Sequence, residues 1–330
     1  MTAHAQAHPN IALIKYWGKR DDRLNLPATG SLSITLESMS ARTRVAFDRG
    51  LDDDVFRLDG EANPAALARV VACLDLLRAR AGTTWRARVD SSNDFPAGAG
   101  LASSASGFAA LVLAASTALD LRLDRRELSV LARRASGSAA RSMFGGFVAM
   151  SAGSRADGDD ACAEPLLDAG EWPLEVVIAV TSHGAKAIGS STGMDISRRS
   201  SPFHGEWIAG SAADLDEARR AVLGRDFAAL AAVSEHNGLK MHAVMLASRP
   251  ALVYWSGATL DCLHCIRALR EREGLEVFFT SDAGAQAIAV CRPAAAARVA
   301  ASLSQIPGVH RLLRSALGEG AHLVADIEAA

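Results

Sequence analysis

The sequence predicts a mixed α+β chain of two domains, on three observations. Its 330 residues exceed the roughly 100–200 that one domain typically holds. The first third carries short alternating or β-branched runs broken by Gly, Asp and Ser, as in an open antiparallel sheet. The later strands and helices come in groups rather than as repeated βαβ units, which argues against a parallel sheet wrapped in helices. The stretch from Ser154 to Gly170 is polar, non-periodic and rich in Asp, Ala and Gly, so a boundary is expected near residue 170, giving domains 1–170 and 171–330.

The elements follow in order. Strands are expected at Ser31–Glu37, Ala41–Asp48 and Asp54–Leu58. A helix comes next, with Asn63 as N-cap, Pro64 at its first position, an apolar stripe through Leu67, Val70, Val71, Leu74 and Leu77, and Gly82 as its stop. A strand at Thr84–Asp90 leads into a glycine-rich segment and a helix that begins near Ser104. Asp124 and Glu127 make a capping-box pattern for another helix, ending at Ser136-Gly137-Ser138, and Phe147–Met150 reads as a return strand. The second half opens with an apolar strand, Leu174–Thr181, and continues through helices from about Gly193 to Arg272. Strands at Leu275–Ser281 and Ala287–Cys291, a helix and a strand-like run close the chain.

Composition narrows the function. Hydrophobic residues make up 49% and charged residues 22%, which places the chain among packed globular proteins rather than disordered ones. No run reaches the ~18 apolar residues of a membrane span, since even Leu101 to Leu119 is interrupted by Ser103, Ser104, Ser106 and Ser116. A secretory signal is absent from the N-terminus, so a cytoplasmic protein is expected. Cys262 and Cys265 flank His264 in a C-x-x-C, but they fall in a helical run from Ala258 to Arg272 with no second ligand pair after it, and ordinary helix positions are expected. A net charge of −2 provides no field for nucleic acid or a membrane, so any anionic ligand must be held by local charge. Arginine supplies most of the positive charge, and lysine occurs only at Lys15, Lys19, Lys186 and Lys240, two of them in one hexapeptide.

Four segments carry chemistry. Pro96-Ala-Gly98-Ala-Gly100-Leu101-Ala102-Ser103-Ser104 precedes an apolar helix. Its small residues allow the backbone close to phosphate oxygens, its hydroxyls donate, and the helix start adds free N–H groups, so that it reads as a phosphate cradle or, taken alone, as a flexible turn. It is neither a Walker loop, having no Gly-Lys-Ser/Thr, nor a dinucleotide fingerprint. Asn10 to Arg20 runs from an apolar strand into Lys15, Tyr16, Trp17, Gly18, Lys19 and Arg20, a cationic strand end suited to a small polyanion. Ser136-Gly137-Ser138-Ala139-Ala140-Arg141-Ser142 surrounds one guanidinium with hydroxyls, which reads as a second anion cradle or as a helix-ending turn. Asp282, at the end of an apolar strand beside Ala283 and Gly284, reads as a general base or a turn cap.

Together these segments resemble the diphosphomevalonate decarboxylase family of the GHMP small-molecule kinase superfamily. The resemblance spans nearly the whole chain and is carried by IALIKYWGKRDDRLNLP from Ile11, FPAGAGLASSASG from Phe95, RRASGSAARS from Arg133, SSTGM from Ser190, MHA from Met241 and SDAG from Ser281. It implies a GHMP-kinase-like α+β fold, with an N-terminal ATP-binding domain similar to ribosomal protein S5 domain 2 and a C-terminal ferredoxin-like α/β sandwich. It also implies ATP- and Mg²⁺-dependent conversion of 5-diphosphomevalonate to isopentenyl diphosphate, ADP, phosphate and CO₂, by a homodimer. The matching positions would then be catalytic at Asp282, Lys15 and Arg141. Substrate would be held by Asn10, Tyr16, Trp17, Gly18, Lys19, Arg69, Ser136, Gly137, Ser138, Ala139, Ala140, Arg141, Ser190 and Ser191. Nucleotide would be held by Pro96, Gly98, Gly100, Leu101, Ala102, Ser103 and Ser104, and no metal ligand is assigned. A kinase or decarboxylase acting on mevalonate or its monophosphate, and a non-catalytic ATP-binding protein, are the alternatives. The chain departs from the family pattern at Ala7-His8-Pro9-Asn10, Thr29-Gly30-Ser31 and Ala285-Gln286, and the last of these borders the expected base.

Overall fold

The computed structural model describes residues 1–95, 103–182, 184 and 186–325. The first half runs β1 (Thr2–Ala7), β2 (Asn10–Ile14), β3 (Lys19–Asp21), β4 (Leu26–Pro27), β5 (Ser31–Thr35), β6 (Ala41–Asp48), β7 (Val55–Leu58) and β8 (Glu61–Ala62). It continues with α1 (Pro64–Ala81), β9 (Arg86–Asn93), α2 (Ser103–Ala118), α3 (Arg125–Ala135), α4 (Ala139–Ser142), β10 (Phe147–Met150) and β11 (Ala163–Leu167). The second half comprises β12 (Glu175–Val180), α5 (Ser190–Ser200), α6 (His204–Gly224), α7 (Phe227–Leu246), α8 (Gly257–Glu273), β13 (Val277–Thr280), β14 (Ala287–Cys291), α9 (Pro293–Leu303), β15 (Arg311–Ala316) and β16 (His322–Leu323). Helices and antiparallel strands mix in both halves, the α+β class the sequence predicts.

Among the described residues three larger sheets organise the chain, beside the two-stranded pair β3-β4. The first, β16-β1-β6-β9-β7-β8, is antiparallel except where β7 runs parallel to β9. In β6, alternate residues Ala41, Thr43, Val45 and Phe47 are buried, the period-2 pattern of a strand with one covered face. Its cover is α2, which is apolar nearly all round and is therefore packed on several sides, by the sheet and by α1, α3 and α4. The second sheet, β11-β10-β5-β2, places two fully buried strands, Asn10–Ile14 and Ser31–Thr35, between the halves. In the third sheet, β13-β14-β12-β15, alternation splits one strand between two cores. Val177 and Ala179 pack with α8 and α9, while Val176 and Ile178 join Ile11, Leu32, Leu230 and Phe278 in a core that crosses residue 170.

Local signals behave as the sequence predicts where capping chemistry sets them. Asn63 accepts from Ala66 N–H at the start of α1, Gly82 ends it with φ +63°, and Asp124 and Glu127 form both halves of a capping box on α3. One strand lies outside the expectations, and two expectations need correcting. Thr2–Ala7 is a strand the sequence does not advertise, because its alanines bury little surface each and only their packing against α2 reveals it. The Ser154–Gly170 stretch is not wholly irregular, since Ala163–Leu167 pairs with β10. The closing residues do not stay with the second half: β16 pairs with β1, and Gly318 N–H donates to Thr35 O at 2.9 Å. Among the described residues no helix is long and apolar enough to cross a membrane. Cys262 lies in the buried face of α8, where burial pushes its thiol up to about 12.

Candidate active site

The strand β2 leaves its ladder early. Pairing with β5 shifts register between Ala12 and Ile14, and the chain turns out of the sheet at Lys15. The Lys15 side chain folds back and donates from Nζ to Ala12 O at 2.7 Å and to Asp282 Oδ1 at 2.7 Å. Its ammonium is 1% exposed, whereas the Asp282 carboxylate, on the loop after β13, is 28% exposed and faces open space. Burial lowers the Lys15 pKa from its ordinary value, the charge and hydrogen bond of Asp282 raise it part of the way back, and nearby Arg141 lowers it again. The Asp282 loop is held from behind. Trp255 Nε1 donates to Ser281 Oγ at 3.0 Å, Ser281 Oγ donates to Gln286 O at 3.1 Å, and His242 stacks on Trp255 with ring centroids 4.0 Å apart. Burial, helped by the Lys15 charge, pushes His242 down to about 3, so this ring is neutral and adds no cation behind Asp282.

Arg141 reaches the same space from the first half. The short α4 follows the turn Ser136-Gly137-Ser138 and directs the guanidinium inward, where Nε and Nη2 donate to Asn10 Oδ1 at 3.2 and 3.0 Å and Nη1 donates to Ser31 Oγ at 2.7 Å. The Asn10 amide cannot rotate away, because Nδ2 donates to Ser138 O at 3.1 Å and to Ser142 Oγ at 2.8 Å. These protein partners of Arg141 are neutral. Burial lowers its pKa to about 10, with the Asp282 charge opposing the shift, so an incoming anion would relieve a desolvated cation.

Tyr16 packs on Gly137 so closely that a Cβ there would lie 2.6 Å from the ring Cζ and from the hydroxyl. Its hydroxyl is buried with no hydrogen-bond partner among the described residues, and burial raises its pKa, leaving a neutral donor at the wall. Gly18, with φ +111°, makes the turn that lets Trp17 enter the core while Lys19 returns to the surface of the site. Trp17 Nε1 donates to Ser197 Oγ at 3.1 Å, so Trp17 borders the site with its polar atom already paired. Arg69 donates to Ala135 O at 3.1 Å and lies over the Phe108 ring at 4.7 Å. At the start of α2, Ser104 Oγ stands 3.4 Å from Ser136 Oγ, and Ser190 and Ser191 begin α5 across the opening.

These groups line one cleft of about 770 Å³. The sequence-predicted residues Asn10, Lys15, Tyr16, Trp17, Lys19, Arg69, Ser103, Ser104, Ser136, Gly137, Ser138, Arg141, Ser190, Ser191 and Asp282 meet there. Gly18, Ala139 and Ala140 do not line it, and the two alanines are wholly buried behind Arg141. Pro96, Gly98, Gly100, Leu101 and Ala102 lie outside the described residues. Lys186, Arg134, Asp22, Asn25 and Met241 also border the cleft without being singled out beforehand as site residues. Lys186 had a signal, the rarity of lysine: three of the four lysines border the cleft. Burial lowers its pKa and the Asp282 charge opposes the shift. Among the described residues the lining carries the cations Lys15, Lys19, Arg69, Arg134, Arg141 and Lys186 against the carboxylates Asp22 and Asp282. In a chain whose net charge is −2, that local excess favours a highly charged anion. No cluster of three His, Cys, Asp or Glu among the described residues could cage a metal ion. A Mg²⁺ ion, which keeps waters and takes phosphate oxygens, fits the Ser104 and Ser136 hydroxyl pair as a supplement to a nucleotide.

Two family models match the chain: a diphosphomevalonate decarboxylase-like N-terminal domain over residues 7–163 and a mevalonate 5-diphosphate decarboxylase C-terminal domain over residues 176–321. Diphosphomevalonate decarboxylase of Candida albicans is 36% identical over 302 residues, covering 87% of this chain and 83% of that protein. Phosphomevalonate decarboxylase of Haloferax volcanii is 33% identical over 286 residues, covering 86% of each. A solved complex with MVAPP, AMPPCP and magnesium superposes with a TM-score of 0.91 at 36% identity, covering 99% of each chain.

Proposed function

The chain belongs to the diphosphomevalonate decarboxylase family and is an ATP- and Mg²⁺-dependent decarboxylase of the mevalonate pathway, and from that premise we propose how its residues divide the reaction. The substrate is 5-diphosphomevalonate, and the products are isopentenyl diphosphate, ADP, phosphate and CO₂. One observation carries the assignment of roles: Asp282, paired with Lys15 at 2.7 Å, opens onto a cleft that also holds Arg141 and the Ser103 and Ser104 hydroxyls.

An ordinary carboxylate, with a pKa of about 4, is too weak a base to ionise an alcohol outright. Asp282 therefore orients the C3 hydroxyl and accepts its proton as the oxygen bonds to the γ-phosphorus and the bond to ADP breaks. Lys15 holds the carboxylate in place and offsets charge as phosphate approaches it. Arg141, aimed by Asn10 and Ser31, grips the substrate carboxylate. The C3–O bond then breaks with its electron pair leaving on phosphate, the bond to the carboxylate breaks, and that pair closes the C=C bond as CO₂ departs. Tyr16, Lys19, Arg69 and Ser138 bind the diphosphate, with Ser190 and Ser191 closing the other side. Ser103, Ser104 and Lys186 meet the nucleotide phosphates, and Ser104 and Ser136 would help to hold Mg²⁺, which would supply neutralising charge.

The same reading places an ATP-binding domain at 1–170 and a second domain from 171 onward whose closing strand returns to the first sheet, supported by two family models that end at 163 and begin at 176. It also makes the chain a cytoplasmic homodimer, which light scattering on the purified protein tests. Supplying mevalonate, its 5-phosphate and its 5-diphosphate in turn, and counting CO₂ released per ADP formed, tests the reaction: a one-to-one ratio with the diphosphate is expected. Preference for the monophosphate is the second reading, which the Haloferax volcanii relative favours. ADP without CO₂ would remove the decarboxylation assignment.

A further inference from the structure

Lys15 leaves the β2 ladder, so its main-chain N–H needs another acceptor. The acceptor is Asn237 Oδ1 of α7, at 2.8 Å, from a side chain with no exposed surface. A buried amide can present oxygen or nitrogen, and what fixes the choice here is Asp214 of α6. Its Oδ2 accepts from Asn237 Nδ2 at 2.7 Å, and a carboxylate in that place cannot donate, so the amide oxygen must face Lys15. The same Oδ2 accepts from Lys240 Nζ at 2.7 Å, which offsets the charge of a carboxylate whose side chain is only 12% exposed. We infer that Asn237, braced by Asp214 and Lys240, is a positioning residue that sets where Lys15 leaves its strand and hence where the Lys15 ammonium holds Asp282.

The inference rests on the Lys15 and Asp282 roles proposed above and adds a specific function for a polar network away from the reacting atoms. It also accounts for the fourth lysine: Lys15, Lys19 and Lys186 border the cleft, and Lys240 steadies the group that steadies Lys15. A purely structural tie between α7 and β2 would cost stability without separating kcat from KM. A positioning role acts on kcat, because displacement of about 1 Å at a reacting group costs up to about 100-fold in rate.

The test compares the full chain with Asn237→Ala, Asn237→Asp, and the double exchange Asn237→Asp with Asp214→Asn, measuring kcat and KM with ATP and the diphosphate ester and the thermal midpoint of each. Asn237→Ala should lower kcat about 10- to 100-fold with KM changed less than about threefold. Asn237→Asp sets two carboxylates against each other and should be at least as slow. In the double exchange the new carboxylate at 237 accepts both from Lys15 N–H and from the amide at 214, so kcat should return to within about fivefold of the parent chain. Parental kcat in Asn237→Ala, or a double exchange no faster than the single one, would overturn the inference while leaving the reaction intact. A parent chain that releases no CO₂ from any mevalonate ester would overturn the functional reading and this inference with it.

Discussion

Burial makes the Lys15 ammonium harder to keep protonated, and the Asp282 carboxylate 2.7 Å away restores part of its proton affinity. The cation is present below the folded-state pKa and is lost as pH rises through it, and that value lies under the ordinary lysine value of about 10.4. Turnover should therefore decline on the alkaline side before pH reaches that value, and a kcat profile that stays flat through the ordinary lysine range would count against Lys15 as the required cation. Asp282→Ala should reduce kcat by about 10³-fold while nucleotide affinity, read by calorimetry, stays near that of the parent. Arg141→Gln removes a preorganised charged donor, a loss of about 3–4 kcal/mol in transition-state stabilisation, and should lower kcat more than it raises KM. All three residues stand out in the sequence, because charge in a setting of small and apolar neighbours is chemically conspicuous. Asn237 does not stand out: an amide inside a helix has no local mark of the strand end it serves.

The elements place these groups through close approaches that only small residues permit. The turn between α3 and α4 lies against Tyr16, and a Cβ on Gly137 would stand 2.6 Å from the ring and its hydroxyl. Gly137→Ala should push Tyr16 out of line and raise KM for the diphosphate ester about tenfold, with little change in the thermal midpoint, since the ring can yield toward the cleft. An unchanged KM would show that Tyr16 does not contact substrate. At this scale the caps at Asn63, Gly82 and Asp124 are legible because each is set by the chemistry of three or four adjacent residues. The strand Thr2–Ala7 and the strand inside Ser154–Gly170 are not, because their stability comes from neighbours distant in the chain.

Across the whole molecule, the last described segment returns to the first half and closes on the part that carries Arg141. Ala321 N–H donates to Ser142 O at 3.1 Å, Gly146 N–H donates to Gly318 O at 2.9 Å, and a Cβ on Gly320 would sit 2.6 Å from Met143 O with further backbone at 2.7 Å. Backbone cannot move aside as a side-chain tip can, so Gly320→Ala should destabilise the chain by about 1–3 kcal/mol, seen as a lower denaturant midpoint with an unchanged slope. An unaltered midpoint would mean that the segment is not held as described. By itself the sequence determined the α+β class and the ends of the capped helices Pro64–Ala81 and Arg125–Ala135, and it singled out Lys15, Arg141 and Asp282 as candidates, since propensity, capping and charge act within a few residues. Only the tertiary structure decided that Lys15 meets Asp282, that Asn10 and Ser31 aim Arg141, that Lys186 joins them and that Ala139 and Ala140 stay behind the wall. Those outcomes depend on contacts between residues up to 267 positions apart, which no local pattern encodes.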